Sequence, residues 1–327
     1  MLPTYDDVLV ARGRLAGKVS RTPVLRVPRL DALAGLDLYL KAENLQRVGA
    51  FKARGAINAV LALSPSAREK GLITFSSGNH GQAVALAARD AGVHAHIVMP
   101  EDAPAVKVEA VRALGGEVSF AGRTTDDRYK LAHEIAARTG GTVIPPFDDA
   151  DVIAGQGTAT VELIEQAAEL GATLDAVLVP VGGGGLLAGA CLAAEGHPSR
   201  PRVIAVEPAT ADAFSRSFAA KERVTIAPAS TIADGLKPIR VGELNFAIAG
   251  RLVSDCAVVD DDAIGRALVE LLLHGKILVE PSGACALAAA LDGKLPAGLR
   301  RVGVILSGGN LAPAQLADLI RRYAVSA

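Results

Sequence analysis

The chain has 327 residues, 50% of them apolar and 21% charged, so it can bury a large core, and its length fits two domains or one domain with a large insertion. A net charge of −1 gives no electrostatic case for nucleic acid or an anionic membrane surface. Aromatic residues make up 3% and Trp is absent, which removes the stacking platforms that single-strand binders use.

In chain order, the opening MLPTYDDVLVARGRLAG has a helical period and early acids at Asp6 and Asp7, which argues against a signal peptide. Short runs rich in Val and Ile predict strands at 38–42, 72–75, 94–99, 117–120, 142–144, 175–181, 202–207, 252–259 and 301–306. Between most of them, Ala-rich stretches of helical period predict helices at 52–63, 79–91, 104–114, 124–139, 155–170, 185–195, 260–275, 281–291 and 312–323. Such alternation predicts an α/β fold of two domains, each an open, mostly parallel sheet covered by helices. No linker cuts the chain cleanly. Residues 70–149 are therefore read as a small α/β domain inserted into a larger one built from 1–69 and 150–327.

No repeat of fixed period is present, and no apolar run reaches the roughly 20 residues that a membrane span needs. Cys191, Cys256 and Cys285 have no paired spacing and no His cluster beside them, as expected of buried thiols in a reducing compartment. The expectation is a soluble, cytoplasmic protein.

Four stretches carry chemistry. In AVLVPVGGGGLLAG (176–189) a buried strand ends, four glycines follow and a helix begins; backbone amides can close round a phosphate there. Which phosphate stays open. Gly183, Gly185 and Ala188 satisfy GxGxxA, and Glu207 ends the next strand about where a ribose-binding acid would sit, so a nicotinamide dehydrogenase competes. Lys52, after Gly49-Ala50-Phe51, opens a helix and alone reads as an ordinary solvated lysine. SSGNHG places Ser76, Ser77, Asn79 and His80 around a helix start, which suits a carboxylate as well as a cap. In LSGGN (306–310), Ser307 ends a buried strand where two glycines let the chain turn.

Taken in order with RTPVL (21–25), VIAGQGT (152–158), TIADG (231–235) and EPSGA (280–284), these stretches resemble the fold type II pyridoxal-phosphate enzymes. The serine/threonine dehydratase and serine racemase group is the nearest resemblance, and it spans almost the whole chain. The resemblance implies that Lys52 forms the Schiff base with the cofactor and that Phe51 packs beside its ring. It implies that Asn79 meets the ring hydroxyl, Gly182, Gly183, Gly184 and Gly185 cradle the phosphate, and Ser307 faces the pyridine nitrogen. Gly235 and Glu280 match positions lining the cofactor pocket, and Ser76, Ser77, Asn79 and His80 the loop holding the substrate carboxylate. Lys52 and Ser77 match the two proton-handling groups. The implied activity is a dehydratase converting L-threonine, L-serine or a related β-hydroxy amino acid to a 2-oxo acid and ammonia, with racemisation as the alternative through Ser77. A homodimer acting on a small amino-acid substrate is implied too.

Three departures stand out. Ala50 occupies a place where the group usually has Ser. Metal-using members follow Glu with Ala four on and Asp six on; here Glu207 and Ala211 match but Ala213 ends the set, leaving a Mg²⁺ or Ca²⁺ site open. About 17 residues follow LSGGN, so the C-terminal regulatory domain of biosynthetic threonine dehydratases is not expected.

Overall fold

The computed structural model describes residues 2–76, 78–122 and 124–324. Its strands are β1 (Val24–Leu25), β2 (Asp37–Ala42), β3 (Leu72–Phe75), β4 (Ala95–Met99), β5 (Glu117–Phe120), β6 (Thr142–Val143), β7 (Ala176–Pro180), β8 (Arg202–Pro208), β9 (Asp255–Val259) and β10 (Arg301–Leu306). They form two sheets, a six-stranded one in the order β1-β2-β10-β7-β8-β9 and a four-stranded one in the order β5-β4-β3-β6. Every pairing is parallel except β1 with β2. The central strands β7 and β4 are buried along their whole length, which is why they read as unbroken apolar runs.

The helices are α1 (Tyr5–Leu15), α2 (Pro28–Ala34), α3 (Lys52–Ala62), α4 (Pro65–Glu69), α5 (Asn79–Ala91), α6 (Ala105–Ala113) and α7 (Thr125–Thr139). They continue as α8 (Ala150–Glu169), α9 (Gly185–Gly196), α10 (Ala213–Ala220), α11 (Glu243–Leu252), α12 (Asp261–Glu270), α13 (Pro281–Leu291) and α14 (Pro313–Tyr323). None of the described helices is long and apolar enough to cross a membrane.

α8 starts five residues before its predicted beginning. Asp149 caps it, accepting from the Val152 amide at 2.9 Å, and Gly155 and Gly157 sit in the helix interior rather than in its first turn. Packing explains those glycines. A Cβ on Gly155 would lie 2.7 Å from the Arg54 carbonyl oxygen, and one on Gly157 would lie 2.7 Å from the Gly189 carbonyl. α8 therefore touches α3 on one side and α9 on the other, backbone to backbone.

α3 belongs to two neighbourhoods. Its Ala53, Ala56, Ile57 and Val60 join the apolar cluster of α5, β4 and α6 under the four-stranded sheet. Its Arg54 points instead toward Glu43, just after β2 of the six-stranded sheet, and toward Glu162 of α8. The predicted helix at 260–275 is shorter than expected: α12 ends at Glu270, and a π-helical turn over Leu271–Gly275 stops at Lys276, where φ is 55°.

Candidate active site

In both sheets the chain leaves the C-terminal strand ends into loops that face a common centre, the usual place for ligands in open parallel sheets. From the six-stranded sheet, β7 runs into Gly182–Gly185 and β10 into Ser307. From the four-stranded sheet, β3 runs into Ser76 and Asn79, and β6 into Pro146 and Phe147.

Lys52 is the first residue of α3. Its ammonium donates to the Pro146 carbonyl at 2.6 Å and lies over the Phe51 ring, 5.1 Å from the centroid. Desolvation brings the amine down from 10.5 to about 8, so a neutral form is within reach near physiological pH. The Ala50–Gly308 bridge, with the Phe51 amide donating to the Ser307 carbonyl at 3.1 Å, ties this helix start to the end of β10.

At the start of α5, the Asn79 amide donates to Glu280 Oε1 at 2.8 Å, and its Oδ1 accepts from Asn310 at 2.8 Å. Glu280 is buried and rises to about 7, chiefly through desolvation and then through the Asp234 charge. Asn310 also donates to the Val48 carbonyl at 2.8 Å, so three distant segments share one amide chain. Asn310 lies within LSGGN, yet only the serine of that motif stood out in the sequence; an asparagine after two glycines carries no local signal of a partner 231 residues away.

His80 is buried, and Nε2 pairs with the Ile144 carbonyl at 3.1 Å, which requires the proton on Nε2. Nδ1 then carries a lone pair that has no partner among the described residues. Desolvation, and next the Lys52 charge, lower His80 to about 3, which keeps it neutral. As arranged its ring offers an acceptor, so a hold on a carboxylate at this position falls to its backbone N–H in the first turn of α5. Ser76 Oγ accepts from the Gly78 amide at 3.2 Å. Ser77 lies outside the described residues.

The glycine run is shaped by its neighbours. Gly184 has φ 94°, a left-handed conformation that favours glycine. A Cβ on Gly183 would lie 2.2 Å from the Phe147 ring, and the Gly183 carbonyl accepts from Asn245 Nδ2 at 2.7 Å and from the Gly242 amide at 3.0 Å. The amides of Gly183, Gly184 and Gly185 have no acceptor among the described residues, and they open α9. Gly235 closes the neighbouring wall: its amide donates to Ser282 Oγ at 3.0 Å. Ser307 is buried, and among the described residues its hydroxyl makes only a long 3.4 Å contact, to the Ser282 carbonyl, leaving it able to turn elsewhere.

Glu207 does not reach this centre. Its oxygens accept from the Phe214 amide at 2.8 Å, the Ser215 amide at 2.7 Å and the Ser215 hydroxyl at 2.7 Å. It therefore serves the N-terminus of α10 and is not free to hold a ribose, which removes the structural support for the dehydrogenase alternative. The same bonds leave a cation little: Ala211 is buried, Ala213 has no carboxylate, and the described residues contain no group of three His, Cys, Asp or Glu side chains able to hold a metal. These residues do not fit a Mg²⁺ or Ca²⁺ site.

The sequence profile described as pyridoxal-phosphate dependent enzyme matches residues 15–308. Among curated proteins, the L-threo-3-hydroxyaspartate ammonia-lyase of Saccharomyces cerevisiae is 44% identical over 320 residues, covering 98% of this chain and 97% of that one. Among solved structures, maize serine racemase superposes with a TM-score of 0.93 at 39% identity, covering 98% of each chain. The threonine deaminase of T.th. has a TM-score of 0.90 at 44% identity, covering 95% of this chain and 99% of that one. With the lysine, the glycine run and the serine at the strand ends of two parallel sheets, the chain belongs to the family of pyridoxal-phosphate-dependent enzymes.

Proposed function

We propose that the protein is an ammonia-lyase that dehydrates a small β-hydroxy amino acid, with L-threo-3-hydroxyaspartate, L-serine and L-threonine as the substrate class. The observation carrying this is the set of donors at the ends of β7 and β10 that lack close acceptors among the described residues. Three amides without acceptors at the start of α9 suit a phosphate, and the loosely held Ser307 hydroxyl suits a ring nitrogen. The residues present thus fit pyridoxal phosphate.

Lys52 would hold the cofactor covalently, Gly182, Gly183, Gly184 and Gly185 its phosphate, and Ser307 its ring nitrogen. Phe51 would pack beside the ring, Asn79 meet its hydroxyl, and Gly235 and Glu280 line the pocket. When bound, the cofactor supplies the electron sink that acidifies the substrate α-carbon. Lys52 Nζ, once displaced by the substrate amine, is neutral enough to take the Cα proton. Ser76 and the amides at the start of α5 hold the substrate carboxylate at a helix N-terminus. The Glu280–Asn79–Asn310 chain fixes the Asn79 amide, leaving one of its N–H groups for the ring hydroxyl. Loss of water across Cα–Cβ, then hydrolysis of the released enamine, yields a 2-oxo acid and ammonia.

The likeness to maize serine racemase keeps racemisation as the second reading, with Ser77 as the opposite proton donor. The two sheets fit a small inserted domain at 70–149 and a larger one from 1–69 and 150–327, and a homodimer in the cytoplasm completes the proposal. One assay tests the reaction: 2-oxo acid release from the three substrates, with the serine enantiomer ratio measured in parallel. Release from at least one is expected. No 2-oxo acid and no D-serine from any of them would sink both readings.

A further inference from the structure

Behind Lys52 lies a buried charge network that the reaction does not use. Arg54 follows Lys52 by two residues, about 200° round the helix, so the two side chains leave α3 in opposite directions. Arg54 Nε and Nη2 donate to Glu43 at 2.8 Å each, and Nη1 and Nη2 to Glu162 at 2.8 Å each. Nη1 also reaches Thr158 Oγ1 at 3.2 Å, and Nη2 the Ser20 carbonyl at 3.3 Å. Lys41 donates to Glu162 at 2.6 Å, to Gln166 at 2.7 Å and to the Thr22 carbonyl at 2.7 Å. Thr22 in turn donates to Glu43 at 2.5 Å. The side chains of Lys41, Arg54 and Glu43 are 0% exposed and that of Glu162 is 10% exposed. Two cations and two carboxylates balance, and every donor of Lys41 and Arg54 is used.

Stability alone is a poor reason for such a group, because buried ion pairs replaced by apolar side chains of like volume often leave a protein as stable as before. Its geometry is more telling. The network joins α3 to β2 and to α8, and the α3–α8 contact has no slack. A Cβ on Gly55 would lie 2.8 Å from the Val152 carbonyl, and the Gly55 amide donates to Gln156 at 3.1 Å. Pro146, whose carbonyl receives the Lys52 ammonium, lies four residues before α8 begins. The lysine backbone and the carbonyl that receives its amine are thus fixed to each other through α8.

We infer that Arg54, gripped by Glu43 and Glu162, is a positioning residue that holds Lys52 opposite the Pro146 carbonyl; this rests on Lys52 being the cofactor lysine. The network sets where the released amine rests, and hence how closed to water it is and how directly it meets the α-carbon. A misplacement of about 1 Å at this point is enough for roughly a 100-fold loss of rate.

The test uses Arg54→Lys and Thr158→Val, the second removing the 3.2 Å contact to Arg54 and the 2.6 Å hydroxyl bond to the Gly155 carbonyl within α8, and no charge. Two readouts are taken on folded protein well below its melting temperature. One is kcat and KM of the holoenzyme. The other is the pH midpoint of acetic anhydride labelling at Lys52 in the cofactor-free chain, read by mass spectrometry. In Arg54→Lys, kcat should fall roughly 10- to 100-fold with KM within about threefold. Its labelling midpoint should rise by about one pH unit as Lys52 becomes more hydrated. Thr158→Val should move both in the same direction by less, and it decides the matter if Arg54→Lys does not fold. A folded variant with a lower melting temperature but wild-type midpoint and kcat would overturn the inference, since a purely structural network predicts that result. Borohydride trapping of pyridoxal phosphate on wild-type Lys52 is the separate control: its failure removes the proposed function, while the labelling midpoints still judge Arg54.

Discussion

Replacing Lys52 by Met should stabilise the cofactor-free chain. Burial lowers the Lys52 amine from 10.5 to about 8, so the folded state holds this proton less tightly than the unfolded state. At pH 7 both states carry it, and the cost of the buried charge is fully present at about 3 kcal/mol. As pH rises through 8 the folded state releases the proton while the unfolded chain keeps it, so the cost shrinks, and it vanishes above 10.5. Losing the 2.6 Å bond to Pro146 offsets about 1 kcal/mol. Met keeps the length of the side chain, so packing changes little. The net expectation is a gain of about 2 kcal/mol at pH 7, falling to near zero or slightly negative by pH 10. Urea unfolding of wild type and Lys52→Met at both pH values measures it, and other titrations cancel in the difference. A difference that does not change with pH, or a variant less stable than wild type at pH 7, refutes the argument.

Three further outcomes are expected. Gly183→Ala would push a methyl group into the Phe147 ring, so its affinity for pyridoxal phosphate should drop at least ~10-fold in a spectrophotometric titration, an interference one to a few kcal/mol in size. Glu280 ionises near pH 7 in its buried place, so any limb near pH 7 in the pH dependence of kcat/KM should disappear in Glu280→Gln; a limb that persists assigns it to another group. Gly155→Ala must part the backbones of α3 and α8 and should cost about 2–3 kcal/mol by urea unfolding, against a helix-propensity gain of up to about 1 kcal/mol from adding the methyl elsewhere in a helix.

Most of the sheet was legible in the sequence because parallel strands buried on both faces must be apolar throughout, as 72–75 and 301–306 nearly are, and these fall where the periodicity puts them. The helix start at Ala150 was not, because Gly155 looks like a helix boundary when its close contacts are unknown. β1, two residues long, and the short helices α2, α4 and α10 leave too little period to see. The motifs placed Lys52, Asn79, Glu280, Gly182–Gly185 and Ser307 in one neighbourhood. They could not show that Pro146 and Phe147 connect the lysine to the glycine run, since a backbone carbonyl and a packing ring have no signature. Nor could they show that His80 keeps its proton on the far nitrogen, or that Glu207 is spent on α10. Arg54 has no local signal in the sequence, because its partners come from residues 43 and 162.

The double allegiance of α3 bears on how this protein can be recombined. A graft that exchanged residues 70–149 for the matching stretch of a relative would renew the partners of Ala53, Ala56, Ile57 and Val60 while leaving those of Arg54 untouched. The helix bearing Lys52 would then be asked to fit a foreign apolar surface with its opposite side already clamped. Transplants that carry α3 along meet the converse problem at Glu43 and Glu162. The seam that a protein engineer should respect therefore runs lengthwise down one helix, not through any loop.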